Sequence, residues 1–177
     1  MTRLRSYLAV LTLLALDPSR AARAGDTTQK IAGPSASPTK ATTPTSPVMI
    51  TKPANNALVT NDGLASGTFD SSIKDDIWVF VCPAKAPDKC WPQSPDASKG
   101  APAVMNRQKS EWSTPVGFGG PPQSYEIAVY TASKSASAQI GKLLQRWATK
   151  NDYQGLKLDK LAKLALVERH RITVRKP

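Results

Sequence analysis

The chain has 177 residues, 40% of them hydrophobic, with 15 prolines and 10 glycines. That length fits one domain plus extensions, and the proline and glycine content argues for many turns and against long helices. The formal net charge of +11 favours acidic partners such as anionic glycans or phospholipid head groups. Nucleic acid is a third acidic class of that kind, but the basic residues are scattered and form no dense run, which reads more simply as charge that keeps the protein soluble, and no nucleic-acid partner is expected.

Residues 1–24 read as a secretory signal. Arg3 and Arg5 form a basic start, Tyr7 to Leu16 an apolar stretch of ten residues, and Ala22-Arg23-Ala24 a small-residue cleavage site. Ten residues fall far short of the ~20 that a membrane-spanning helix needs. The charged stretch Asp17-Pro18-Ser19-Arg20 leaves open whether the segment is cut or kept as an anchor. Removing it would take away four arginines and one aspartate, and the remainder stays basic. Residues 25–46 are Thr, Ser, Pro, Ala and Lys with almost no large apolar side chain, which predicts a disordered linker.

From Pro47 onward the pattern changes to short strands divided by turn signals. Strands are expected at Val48–Thr51, Ala57–Val59, Leu64–Phe69, Ile77–Val81, Glu111–Phe118, Tyr125–Tyr130 and Arg171–Arg175. Asn55-Asn56 and Asn61-Asp62-Gly63 supply turns. One helix, residues 136–150, interrupts the series: Ile140, Leu143, Leu144 and Trp147 follow the i, i+3, i+4, i+7 spacing of an apolar face. Ser135 or Ser137 is expected as its N-cap, and Asn151 or Gly155 as its end. Leu158, Leu161, Leu164 and Leu166 extend the packing in a turn-rich segment.

The Ile77–Val81 strand is apolar on both faces. Ile77, Val79 and Val81 point one way, and Trp78, Phe80 and Cys82 the other. Such a strand needs cover on both sides, so helix 136–150 is expected to lie over Trp78 and Phe80 with Trp147 as its anchor.

Cys82 and Cys90 are the only cysteines. A zinc site needs about four ligands, and the chain adds only one histidine. A redox pair usually has two residues between its cysteines, not seven. A hairpin would set the two opposite one another, so a structural disulfide in an oxidising compartment is the favoured reading.

Taken in order, Ile50 with Lys52-Pro53-Ala54-Asn55-Asn56, Ser66–Asp70, Ile77–Val81, Trp91-Pro92-Gln93, Glu111-Trp112, Tyr125–Val129 and Ile172–Arg175 resemble the immunoglobulin-like β-sandwich domains of bacterial exported proteins. The resemblance covers roughly residues 47–176. It implies a mainly β fold: an immunoglobulin-like antiparallel sandwich of about seven strands, with the helix inserted before the last strand, in one domain over 47–177. Antibody-type domains bridge their two sheets with a disulfide, and the close spacing of Cys82 and Cys90 departs from that. A fold of this kind carries little information about function.

The sequence offers no catalytic set, no metal centre and no cofactor motif. His170, the single histidine, stands between Arg169 and Arg171 at the expected start of the last strand and reads as a surface residue. Asp70, Asp75 and Asp76 lack the repeated spacing of a calcium loop. Gly117, Gly119 and Gly120 read as a turn. The binding candidates are Trp91 and Trp112, whose indoles, if exposed, would stack on a glycan with Gln93 and Asn106 nearby; the alternative reading is that the two pair across strands as rim or core. A second candidate is a basic face of Lys142, Arg146, Lys150, Arg171 and Arg175 for an anionic polymer. The resulting expectation is a non-enzymatic binding or adhesion module, exported to the periplasm or beyond, that recognises a glycan or an envelope protein and leaves peripheral membrane contact open. The alternative is a structural or accessory subunit of a cell-envelope assembly.

Overall fold

The computed structural model describes residues 46–177. The expected signal segment, and all of the expected linker but its last residue, lie outside the described residues.

The described residues form nine strands and two helices, in the order β1 (Val48–Lys52), β2 (Asp62–Phe69), β3 (Asp76–Pro83), β4 (Lys89–Gln93), β5 (Val104–Asn106), β6 (Glu111–Gly117), β7 (Gln123–Ala132), α1 (Lys134–Lys150), β8 (Leu156–Lys157), α2 (Leu158–Ala162) and β9 (Val167–Lys176). They build two antiparallel sheets, one ordered β1-β2-β6-β5 and the other β8-β4-β3-β7-β9. Strand alternation explains the first core. Ile77, Val79 and Val81 of β3 meet Val48, Phe69 and Trp112 from the opposite sheet, all nearly free of solvent. Burying each such side chain stabilises by about 1.5–3 kcal/mol.

A second core lies on the other face of β3, as its doubly apolar pattern requires. Trp78, Phe80 and Cys82 face Ile140, Leu144 and Trp147 of α1. The helix axis is therefore set by one stripe, repeating at the period that brings i, i+4 and i+7 together. Phe80 also meets Tyr130 edge-on, ring centres 5.3 Å apart.

The helix N-cap is Ser133, ahead of both serines expected from the sequence. Its hydroxyl accepts the Ala136 N–H at 3.3 Å. Ser137 is instead buried, and its hydroxyl accepts the Trp78 indole N–H at 2.9 Å. A polar side chain with a buried partner competes poorly as a cap, because its oxygen is already committed. Asn151 ends the helix in the left-handed region, at φ 49°.

The strand expected over Ala57–Val59 is only a single parallel bridge, Leu58 to Arg175. This stretch follows the cis Lys52–Pro53 bond and belongs to a seam joining the two sheets at their edges. Asn56 N–H donates to the Thr173 carbonyl at 2.6 Å, and Val59 N–H to the Arg175 carbonyl at 2.9 Å. The Thr173 N–H donates to the Asn55 side-chain oxygen at 2.9 Å. His170 takes part in the same seam. It sits inside β9 opposite Val129 and not at a strand end, half-buried, with Nδ1 accepting the Ile50 N–H at 3.2 Å. The ring is thereby fixed as a structural acceptor between the sheets.

Cys82 and Cys90 form a disulfide, with Cα atoms 4.3 Å apart. It staples the β3–β4 hairpin beside its connecting loop. The second strand of that hairpin carries β8 on its far side, through Lys89 opposite Lys157 and Cys90 opposite Leu156.

Candidate functional site

Two cavities flank the loop 151–155, which follows the end of α1. The first is a groove of about 700 Å³ between α1, the β4–β8 edge and α2. Its floor is apolar, made by Ile140, Leu143, Trp147, Leu156 and Leu164. Its rim carries six cations: Lys89 from β4, Lys142, Arg146 and Lys150 from one side of α1, Lys157 from β8 and Lys160 from α2. Among the described residues Asp152 is the one carboxylate that lines it. The ion pairs among the described residues are Lys99–Asp96, Lys134–Asp76 and Arg171 with Glu126 and Glu168, so none neutralises a groove cation.

Helical spacing explains half of this rim. Lys142, Arg146 and Lys150 recur every four residues and so stack along one side of α1. Three like charges in that arrangement repel one another mildly, and an anionic occupant would relieve the repulsion. The other cations come from separate segments brought together by the short β4–β8 ladder.

The basic face expected from the sequence thus divides. Lys142, Arg146 and Lys150 line the groove, whereas Arg171 and Arg175 lie on β9 outside it. Arg171 is already engaged. Its guanidinium donates to Glu168 at 2.6 and 2.9 Å, to Glu126, and to the Tyr130 hydroxyl at 3.2 Å. The hydrogen bond from Arg171 is the main cause that holds Glu168 below its ordinary carboxylate range. Burial, then the hydrogen bond to Glu168, pushes the Tyr130 hydroxyl up. A folded-state value below the unfolded one means that Glu168 contributes stability above the ordinary value of 4.5 and loses it as pH falls below that. The Glu168 side chain is 40% exposed, so the effect is small after screening, below about 1 kcal/mol. Thermal melting of wild type should fall more steeply than that of Glu168→Gln as pH is lowered from 5 toward 3; parallel curves would remove Glu168 from this account.

The second cavity, of about 620 Å³, lies at the end of the sandwich where β3 ends and the β6–β7 loop turns. Trp91 and Gln93 of β4 line it, with Tyr153 from the loop after α1. The Trp91 indole N–H donates to the Tyr153 carbonyl at 3.0 Å. Gly155, at φ +78°, lets the chain pass against the indole; a Cβ there would sit 2.7 Å from Trp91 Cζ2. Tyr153 in turn meets Trp147 edge-on, ring centres 6.2 Å apart.

The glycan platform expected from Trp91, Gln93, Asn106 and Trp112 is not assembled. Trp112 is 1% exposed in the core between the sheets, its indole N–H donating to the Met49 carbonyl at 3.2 Å. Its strand alternates Trp112, Thr114 and Val116 inward, a period-two signal that the sequence itself carries. Asn106 ends β5, at the edge of the other sheet, and its side-chain oxygen accepts the Lys109 N–H at 3.2 Å as a turn cap. Only Trp91 and Gln93 remain together. The acidic residues Asp70 and Asp76 are also occupied locally, by the Ser72 N–H at 2.7 Å and by Lys134 at 2.6 Å. Among the described residues no group of three or more His, Cys, Asp or Glu side chains is arranged to hold a metal ion, and no helix is long and apolar enough to cross a membrane.

No protein-family model matches the chain, and no curated protein matches it.

Proposed function

We propose that the protein is a non-enzymatic binding module that works outside the cytoplasm and takes an anionic glycan in the groove between α1, β8 and α2. The observation that carries this reading is the convergence of six cations, none of them ion-paired within the described residues, on one apolar-floored groove. Clustered like charge is unfavourable in the empty protein and becomes favourable when a polyanion arrives. An apolar floor under a charged rim suits a sugar chain, whose ring faces are apolar and whose carboxylates or sulfates project outward. The disulfide supports an oxidising compartment.

The fold reading is the immunoglobulin-like sandwich, supported by three features. The sheets are ordered β1-β2-β6-β5 and β4-β3-β7-β9, the latter extended by β8. The first strand is followed by a stretch that crosses to pair with the last. The Tyr125 hydroxyl, near the start of β7, donates to the Gly119 carbonyl six residues upstream, as a tyrosine corner does.

Polygalacturonate and neutral dextran, compared by calorimetry on the full chain, test the function. Polygalacturonate should bind and weaken as salt rises, because the Debye length shrinks from about 10 Å at 0.1 M to about 3 Å at 1 M. The variant Lys142→Glu/Arg146→Glu/Lys150→Glu should bind it about 10- to 100-fold more weakly, at roughly 0.5–1 kcal/mol for each reversed charge. Equal binding of dextran, or indifference to salt and to the three reversals, would rule the groove out.

A further inference from the structure

We propose that the second cavity, lined by Trp91, Tyr153, Asn61, Asp62, Gln93 and Gln123, is a pocket for an uncharged sugar unit. It goes beyond the groove reading and rests on a different wall with different chemistry. Its volume of about 620 Å³ falls among small-molecule sites, which run roughly 300–1,000 Å³.

Aromatic rings and hydrogen-bonding groups are combined there in a fixed geometry. Trp91 is held by its bond to the Tyr153 carbonyl and by the close pass of Gly155. Tyr153, 46% exposed, lines the cavity beside it, with its ring braced edge-on against Trp147. The two glutamine amides are oriented by the protein. Gln93 Oε1 accepts the Gly117 N–H at 2.9 Å while its Nε2 donates to the Trp91 carbonyl at 2.9 Å. Gln123 Oε1 accepts the Lys85 N–H at 2.9 Å while its Nε2 donates to the Tyr125 hydroxyl at 3.3 Å. An amide nitrogen has two donors, so each glutamine keeps one for a ligand. Asn61 and Asp62 are engaged through backbone atoms, which leaves an amide and a carboxylate to receive hydroxyl groups. One wall is the run Gly117, Gly119 and Gly120, and a Cβ built at Gly119 meets nothing within 4 Å. A ligand can therefore approach backbone there.

The charge separates this pocket from the groove. Among the described residues Asp62 is the one charged side chain lining it, and the Lys176 ammonium beside its glycine wall is committed to the Phe118 and Gly120 carbonyls. An anionic ligand is disfavoured. A neutral molecule with many hydroxyls and apolar ring faces meets each feature: the rings stack on it, and the amides and carboxylate take its hydroxyls.

The test uses the full chain with its disulfide formed, labelled at the indole nitrogens for NMR. The probes are maltohexaose, cellohexaose and the N-acetylglucosamine hexamer at millimolar concentration. At least one should shift the Trp91 indole resonance saturably and without dependence on salt. Gly119→Leu adds a side chain at a lining residue where a Cβ meets no other atom within 4 Å and the backbone is not left-handed. It should weaken binding at least about tenfold, the effect of losing one stacking or hydrogen-bonding face, with melting unchanged. Asp62→Ala should weaken it about fivefold or more through the lost hydroxyl acceptor, and reads the pocket independently of Gly119. The three-charge reversal in the groove should leave it unchanged. Silence of the Trp91 resonance with all three probes, full binding by both pocket variants, or loss on groove reversal alone would overturn the proposal. None of these outcomes depends on whether polygalacturonate binds the groove.

Discussion

Replacing Trp78 with alanine should cost about 3–5 kcal/mol and detach α1 from the sandwich. Trp78 lies in the middle of β3 and is fully buried. Its neighbours on that face include Ile140, Leu144 and Trp147, so the lost indole leaves a void that α1 cannot fill without shifting. The change also removes the partner of the Ser137 hydroxyl. Domains of this size are stable by roughly 5–15 kcal/mol, so the loss takes a large share of the total. Its distribution is the informative part. The core between the sheets uses the opposite face of β3, Ile77, Val79 and Val81, which the substitution does not touch. Hydrogen exchange should therefore lose protection in α1 at lower denaturant than in β2 and β6. Trp78→Phe should be milder, because it keeps most of the volume and loses chiefly the hydrogen bond, about 1–3 kcal/mol. An unchanged urea midpoint for Trp78→Ala, or a simultaneous loss of protection in α1 and β2, would contradict the division into two cores.

That division is legible in the sequence because β3 has no polar face. Five consecutive large apolar residues in a strand require two covers, and the chain offers one amphipathic helix to supply the second. The antiparallel sandwich, the hairpin disulfide and the α1 stripe follow from equally local signals. The binding surface is not legible to the same degree. Lys89 and Lys157 face each other only because of β8, a strand of two residues with no periodic pattern to betray it. Lys160 depends on α2, one short turn of helix without a side-chain cap. Sequence spacing groups Lys142, Arg146 and Lys150 but does not tell which other cations join them. Arg171 falls in with the groove cations on sequence grounds because strand alternation shows which way it points and not what it meets; Glu126 and Glu168 decide that. Trp112 differs from expectation for another reason. The overall polarity of its strand suggests exposure and hides the inward alternation of Trp112, Thr114 and Val116.

Removing the disulfide with Cys82→Ala/Cys90→Ala should destabilise the chain by about 2–3 kcal/mol in the chain-entropy account, roughly a 10 °C drop in melting temperature. The loop is short, so the gain from closing it is at the low end for native disulfides. Its position makes the effect more than thermodynamic. Cys90 stands in β4 opposite Leu156 of β8, and the Leu158 N–H donates to the Asp88 carbonyl at 3.0 Å inside the same loop. The hairpin end thus holds the segment that supplies Lys157 to the groove, and β4 itself presents Lys89 to one cavity and Trp91 to the other. Loosening it should spread both sites while leaving β2 and β6, which share no ladder with β4, as protected as before. Polygalacturonate binding should therefore fall together with hydrogen-exchange protection of β4 and β8, and reduction of the wild-type disulfide should reproduce both losses. A thiol count on protein recovered from outside the cell gives the sharpest check. Two free thiols there, or a double variant that melts with wild type, would detach the staple from both stability and site.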